Sequence, residues 1–144
     1  MTEDEGRQAV VAAARSYIGT PYHHHGKIKG VGVDCGTLLT LVFAEAGVRD
    51  SIELGQYSTQ WHLHRGEPIY EDTVKAAGCH EVEEPKLGDI VLYKIGRQFA
   101  HGGIVTCIDP LTFVHAFMQV RCVIETPENE SGVMGLPRKF YSAW

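Results

Sequence analysis

Apolar residues form two stripes of helical period in the first third of the chain and short runs of strand type in the last third. Residues 3–18 place Val10, Val11, Ala14, Tyr17 and Ile18 along one face, with acids at the start, where the helix dipole favours them. Gly19-Thr-Pro21 ends this predicted helix, and residues 22–33 read as a loop with glycines at 26, 30 and 32. A second helix is predicted from Cys35: Leu38, Leu39, Val42 and Phe43 follow its period, Asp34 suits the N-cap and Gly47 a left-handed stop. Residues 50–68 carry no clear period, and residues 69–78 predict a short helix stopped by Gly78. After a turn at Pro85-Lys-Leu-Gly-Asp89, strands are expected at 90–94, 102–106, 113–118 and 120–125, with 140–144 as an edge strand. Helices followed by successive strands without βαβ alternation predict one α+β domain over residues 1–144, its N-terminal helices packed on a central antiparallel sheet.

Composition narrows the function classes. A chain of 144 residues with 44% apolar and 22% charged content can bury one sizeable core. Its 13 basic and 18 acidic side chains give a net charge of −5, which offers no electrostatic case for nucleic acid. No apolar run approaches the roughly 18 residues of a membrane span, and the acidic start differs from a signal peptide, so synthesis in the cytoplasm without an export signal is expected. The four cysteines (35, 79, 107 and 122) have no C-x-x-C spacing and read as reduced thiols.

Cys35 stands out because the predicted cap at Asp34 places it in the first turn of a helix, where the dipole favours a thiolate. Burial acts in the opposite direction, so a reactive Cys35 requires a cleft; a small buried hydrophobe at a helix start is the competing reading. A cysteine nucleophile needs a base and a group that orients the base. His101 and His115 fall on neighbouring predicted strands. A connection over about 106–110 would pair them directly across the sheet, whereas a tight turn at Asp109-Pro-Leu-Thr112 would set His115 opposite Thr106, well over about 10 Å from His101. Glycines 102 and 103 remove side chains beside His101, which suits a helix N-terminus approaching there.

Four blocks in order resemble the NlpC-type cell-wall peptidases, a papain-like family. They are Ala-Arg-Ser-Tyr-Ile-Gly-Thr-Pro-Tyr22 with Gly26, Gly30 and Gly32-Val-Asp-Cys35-Gly-Thr-Leu-Leu, then Leu87-Gly-Asp-Ile-Val91, His101-Gly-Gly-Ile-Val105 and Val114-His-Ala116. They cover roughly residues 8–118. The resemblance implies a papain-like α+β fold, with Cys35 as nucleophile, His101 as base and His115 as the polar third member. It also implies that the Tyr22 hydroxyl supports the oxyanion hole and that Asp34 helps bind a substrate's free amino end. The implied substrate is a peptidoglycan stem peptide cut between γ-D-glutamyl and the diamino acid, with no metal or organic cofactor. Gly36 departs from the serine common after the nucleophile, and the His101–His115 connection is slightly longer than usual. Without export signal or wall-binding repeats, and with the segment Trp61-His-Leu-His-Arg65, the chain is similar to the phage and prophage branch, which implies phage tail proteins as partners and a virion-tail location. An amidase or acyltransferase on a non-wall amide, and a tail-assembly module that makes no use of the triad, are the alternatives; Cys35 preceding His101 argues against the permuted relatives.

The remaining candidates are simpler. His23, His24 and His25 lack a second ligand cluster at metal spacing and are expected to line the loop beside Tyr22. Trp61, with His62 and His64, either walls the substrate groove or anchors an irregular segment to the core. Cys79-His80 would point to opposite faces of an extended segment. Cys107 and Cys122 read as core or edge fillers.

Overall fold

The computed structural model describes residues 1–49 and 69–144. Helix α1 (Glu3–Ser16) begins at a capping box in which Thr2 and Glu5 satisfy each other's backbone amides, and Gly19 at φ +91° turns the chain away. A small hairpin of β1 (Lys27–Ile28) and β2 (Gly32–Val33) lies within the predicted loop and delivers the chain to α2 (Cys35–Glu45). Gly47 adopts the expected left-handed conformation after α2, as Gly78 does after α3 (Ile69–Ala76).

Six strands form one antiparallel sheet: β3 (His80–Val82), β4 (Ile90–Ile95), β5 (Gln98–Ile108), β6 (Leu111–Phe117), β7 (Cys122–Pro127) and β8 (Arg138–Ser142), in the order β3-β8-β4-β5-β6-β7. The last strand is therefore not at the edge: β8 pairs with both β3 and β4. Its Phe140, Tyr141 and Ser142 are buried, which a central position explains and a period-two reading of the C-terminal residues could not distinguish. The outer edge of β7 is covered by residues 19–22, through Gly19 N–H to Val123 O and Tyr22 N–H to Arg121 O.

The helices pack on one sheet face, where Val10, Ala14, Leu38, Val42, Ile104, Val114 and Ala116 form the main core. A smaller cluster of Val91, Tyr93, Val105, Phe113, Phe117, Val133 and Phe140 fills the other face. Arg7 connects the layers. Its guanidinium donates to Asp89 at 2.7 Å, Leu87 O at 3.0 Å and Ser142 Oγ at 3.2 Å, and lies over the Trp144 ring. The Leu87-Gly-Asp turn thereby binds α1 to the start of β4. Gly88 takes φ +84°, and a Cβ there would sit 3.2 Å from Arg7 O.

Candidate active site

The N-terminus of α2 is built around Asp34, 1% exposed and in extended conformation. Its Oδ1 accepts from the amides of Gly36 and Thr37, both at 2.9 Å, while Thr37 Oγ1 accepts from the Asp34 amide. Oδ2 accepts from the His25 amide at 2.8 Å. The carboxylate expected to meet a substrate's amino end is turned inward, on three backbone amides.

Cys35 follows as the first helical residue, 7% exposed. Its Sγ lies 3.9 Å from Ala100 O, and the nearby amides of Gly102, Cys35 and Gly36 favour negative charge on it, although the Gly36 N–H is itself donated to Asp34 Oδ1. The sulfur is thus bracketed by the backbone on either side of His101. Burial, and next the charge of Asp34, push the thiol up to about 12, although those amides pull the other way. Burial therefore outweighs the dipole bias expected of a first-turn cysteine.

His101 and His115 share a hydrogen bond, Nε2 to Nδ1, at 2.7 Å. Neither register anticipated from the sequence produces it. The β5–β6 turn is tight, with Ile108 opposite Leu111, but a bulge at Thr106 shifts the register by one residue. Continuing from Ile104 opposite Val114, Gly103 faces His115, and His101 is the diagonal neighbour, about 7–8 Å away at the backbone and within reach of two rings. Gly103 permits this: a Cβ there would lie 3.0 Å from Val114 O and 3.2 Å from His115 Cβ. A second bulge, at Ala100 between the pairs Tyr93–His101 and Lys94–Phe99, sets the direction of His101. His101 Nε2 is thus engaged by His115, and Nδ1 is the other nitrogen of its ring. His115 is fully buried, its ring stacked on Phe117 and edge-on to Phe113, and its Nε2 has no hydrogen-bond partner among the described residues.

Burial holds both imidazoles well below the ordinary histidine value of 6.5, and for His115 the charge of His101 adds to it. The unfolded chain takes up protons near pH 6.5 that the folded chain refuses until the pH is much lower. The stability is therefore fully present above that value and lost as pH falls from it towards the depressed folded values. Urea midpoints measured between about pH 7.5 and 5 should decline for the wild type and decline less steeply for His115→Asn. Equal slopes for the two proteins would show that the buried pair does not set the acid sensitivity.

Tyr22 is half-buried, bridged to Val33 on one side and bonded to Arg121 O on the other. Its phenol is pushed upward by burial, then by the charges of Cys35 and Asp34, so it stays protonated. His24 and His25 stack at 3.9 Å, with His24 Nδ1 3.9 Å from Asp34 Oδ2. No three metal-binding side chains are grouped among the described residues. Cys79 is buried and His80 exposed, on opposite sides of their segment. Trp61, His62 and His64, expected to wall a groove or anchor to the core, lie outside the described residues.

Tyr70 carries no signal in the sequence that would single it out. It is 3% exposed on α3, and its hydroxyl donates to Cys35 O at 3.0 Å. The only trace of it in the sequence is Gly102, where a Cβ would lie 2.5 Å from Tyr70 Oη; the close approach expected at this glycine comes from a phenol.

The chain matches the family model described as NlpC/P60 family over residues 19–132. Among solved structures it is similar to the NlpC/p60 domain of the peptidoglycan hydrolase SagA, with a TM-score of 0.60 and 21% identity over 92% of this chain and 96% of that one. It is similar to NlpC1 from Trichomonas vaginalis, with a TM-score of 0.61 and 13% identity, covering 98% of this chain but 44% of that one. An N-acetylmuramoyl-L-alanine amidase from Bacteroides uniformis gives a TM-score of 0.55 at 15% identity over 95% and 98%. No curated protein matches. The family model spans the hairpin, α2, the bulged strands and both histidines, and the chain belongs to the NlpC/P60 family.

Proposed function

We propose that this chain is a cysteine hydrolase acting on an amide of peptidoglycan stem peptides, at the bond between γ-D-glutamyl and the diamino acid. The observation that carries this reading is the 2.7 Å His101–His115 hydrogen bond beside the α2 start, with Cys35 Sγ held between the backbone of Ala100 and Gly102. With burial favouring the protonated thiol, the proton passes to His101 Nδ1 as Sγ adds to the carbonyl carbon. His101 then gives that proton to the leaving nitrogen as the C–N bond breaks. Water attacks the thioester, losing a proton to His101, and the C–S bond breaks to return the thiol. The step uses the tautomer in which the proton of the 2.7 Å His101 Nε2–His115 Nδ1 hydrogen bond belongs to His101, which leaves its Nδ1 free to take a proton. The Cys35 amide and the Tyr22 hydroxyl stabilise the oxyanion. Asp34 is assigned to hold the helix start and the His25 turn, its oxygens being taken by three amides.

Synthetic stem peptides test this reading. The wild type should release a product ending in γ-D-glutamate, and Tyr22→Phe should lower kcat about 10²–10³-fold with KM nearly unchanged, as for a donor used in the transition state. A second reading, cleavage of the N-acetylmuramoyl–L-alanine amide, draws on the likeness to the Bacteroides uniformis amidase and would instead release the intact peptide from the sugar. Association with a phage tail rests on the resemblance alone, and detection of the chain in purified virions would test it.

A further inference from the structure

We propose that Tyr70 is a positioning residue for the nucleophile: its hydroxyl, donated to the Cys35 carbonyl, holds the first turn of α2 against the Gly102 backbone and so fixes where Cys35 Sγ stands. The proposal rests on the reading of Cys35 as the attacking group. Three observations converge on it. The hydroxyl lies 3.0 Å from Cys35 O and is buried, so the bond does not compete with water. The same hydroxyl fills the space a Gly102 side chain would need. Tyr70 therefore stands between the start of α2 and the strand segment at 102, the two backbone segments that flank the sulfur. Its own place is fixed by the next residue: Glu71, 7% exposed, binds Lys139 at 2.9 Å and Tyr141, which ties α3 to β8.

Held at its carbonyl, the first turn of α2 keeps Cys35 Sγ beside Ala100 O, next to the strand residue that carries the His101 ring. The effect belongs to turnover and to thiol reactivity, not to substrate binding.

Purified muropeptides and iodoacetamide are the two probes. Tyr70→Phe should lower kcat about 2- to 10-fold with KM unchanged, and slow Cys35 alkylation at fixed pH by a similar factor, with Cys107 and Cys122 labelled at wild-type rates as internal references. Gly102→Ala should lose most activity, because its Cβ would meet Tyr70 Oη at 2.5 Å, Tyr70 Cζ at 3.0 Å and Leu92 Cδ2 at 3.1 Å. Wild-type kcat and Cys35 alkylation in Tyr70→Phe would overturn the proposal even if its melting temperature fell, since a packing role moves only stability. A Gly102→Ala protein as active as wild type would equally contradict the interlock; if Gly102→Ala does not fold, Tyr70→Phe decides alone. Failure of the wild type to cleave muropeptides would refute the hydrolase reading, while the alkylation rates would still report on the Tyr70–Cys35 link.

Discussion

Cys35→Ala is expected to leave a folded protein whose cleavage of stem peptides is reduced by about 10⁴–10⁶-fold, the range for loss of a nucleophile from a site whose members act as a unit. The fold should survive because the helix start does not depend on the sulfur. Asp34 still caps the amides of Gly36 and Thr37, and alanine is a good helix former. Beyond packing, the sulfur makes only weak approaches to backbone groups, such as that to Ala100 O at 3.9 Å. Circular dichroism and melting temperature should match the wild type closely. Wild-type rates in the Cys35→Ala protein would remove the thiol from the chemistry.

Arg7→Ala is expected to cost about 3–5 kcal/mol, a large share of a total stability of roughly 5–15 kcal/mol, because it strands a buried carboxylate. Asp89 is 1% exposed and pairs with Arg7 at 2.7 Å, while the same guanidinium serves Leu87 O, Ser142 Oγ and Glu3. For a domain of this size the melting temperature should fall by roughly 10 °C or more. A double variant, Arg7→Met with Asp89→Leu, should recover part of the loss, since two apolar groups need no partner. If urea denaturation gave a loss under about 1 kcal/mol for Arg7→Ala, the ion pair would not be what holds α1 to β4 and β8.

The three helices and strands β4 to β7 are readable because each carries a local signal. Asp34 before an apolar stripe and Gly47 after it delimit α2, and the Leu87-Gly-Asp block announces the turn that Arg7 secures. The register between His101 and His115 is not readable. It depends on a bulge at Thr106 and a diagonal approach across Gly103, both products of strand twist and pairing rather than of residue type. Placing the C-terminal strand at an edge fails because alternation reports which residues are buried, not which neighbours a strand acquires. The resting state of Cys35 escapes the sequence for a related reason: the helix start is visible there, but the burial that outweighs it arises only when β5 closes over the sulfur. Tyr70 lies far from the motif in sequence, so its bond to Cys35 O exists only in the folded chain.

The most direct test of the hydrolase reading is digestion of purified muropeptides in water enriched in heavy oxygen, read by mass spectrometry. Wild-type protein is predicted to give a shortened stem peptide carrying one heavy oxygen on the new γ-D-glutamyl carboxylate, and Cys35→Ala to give none. Unchanged masses with the wild type, or the same labelled product from Cys35→Ala, would contradict it.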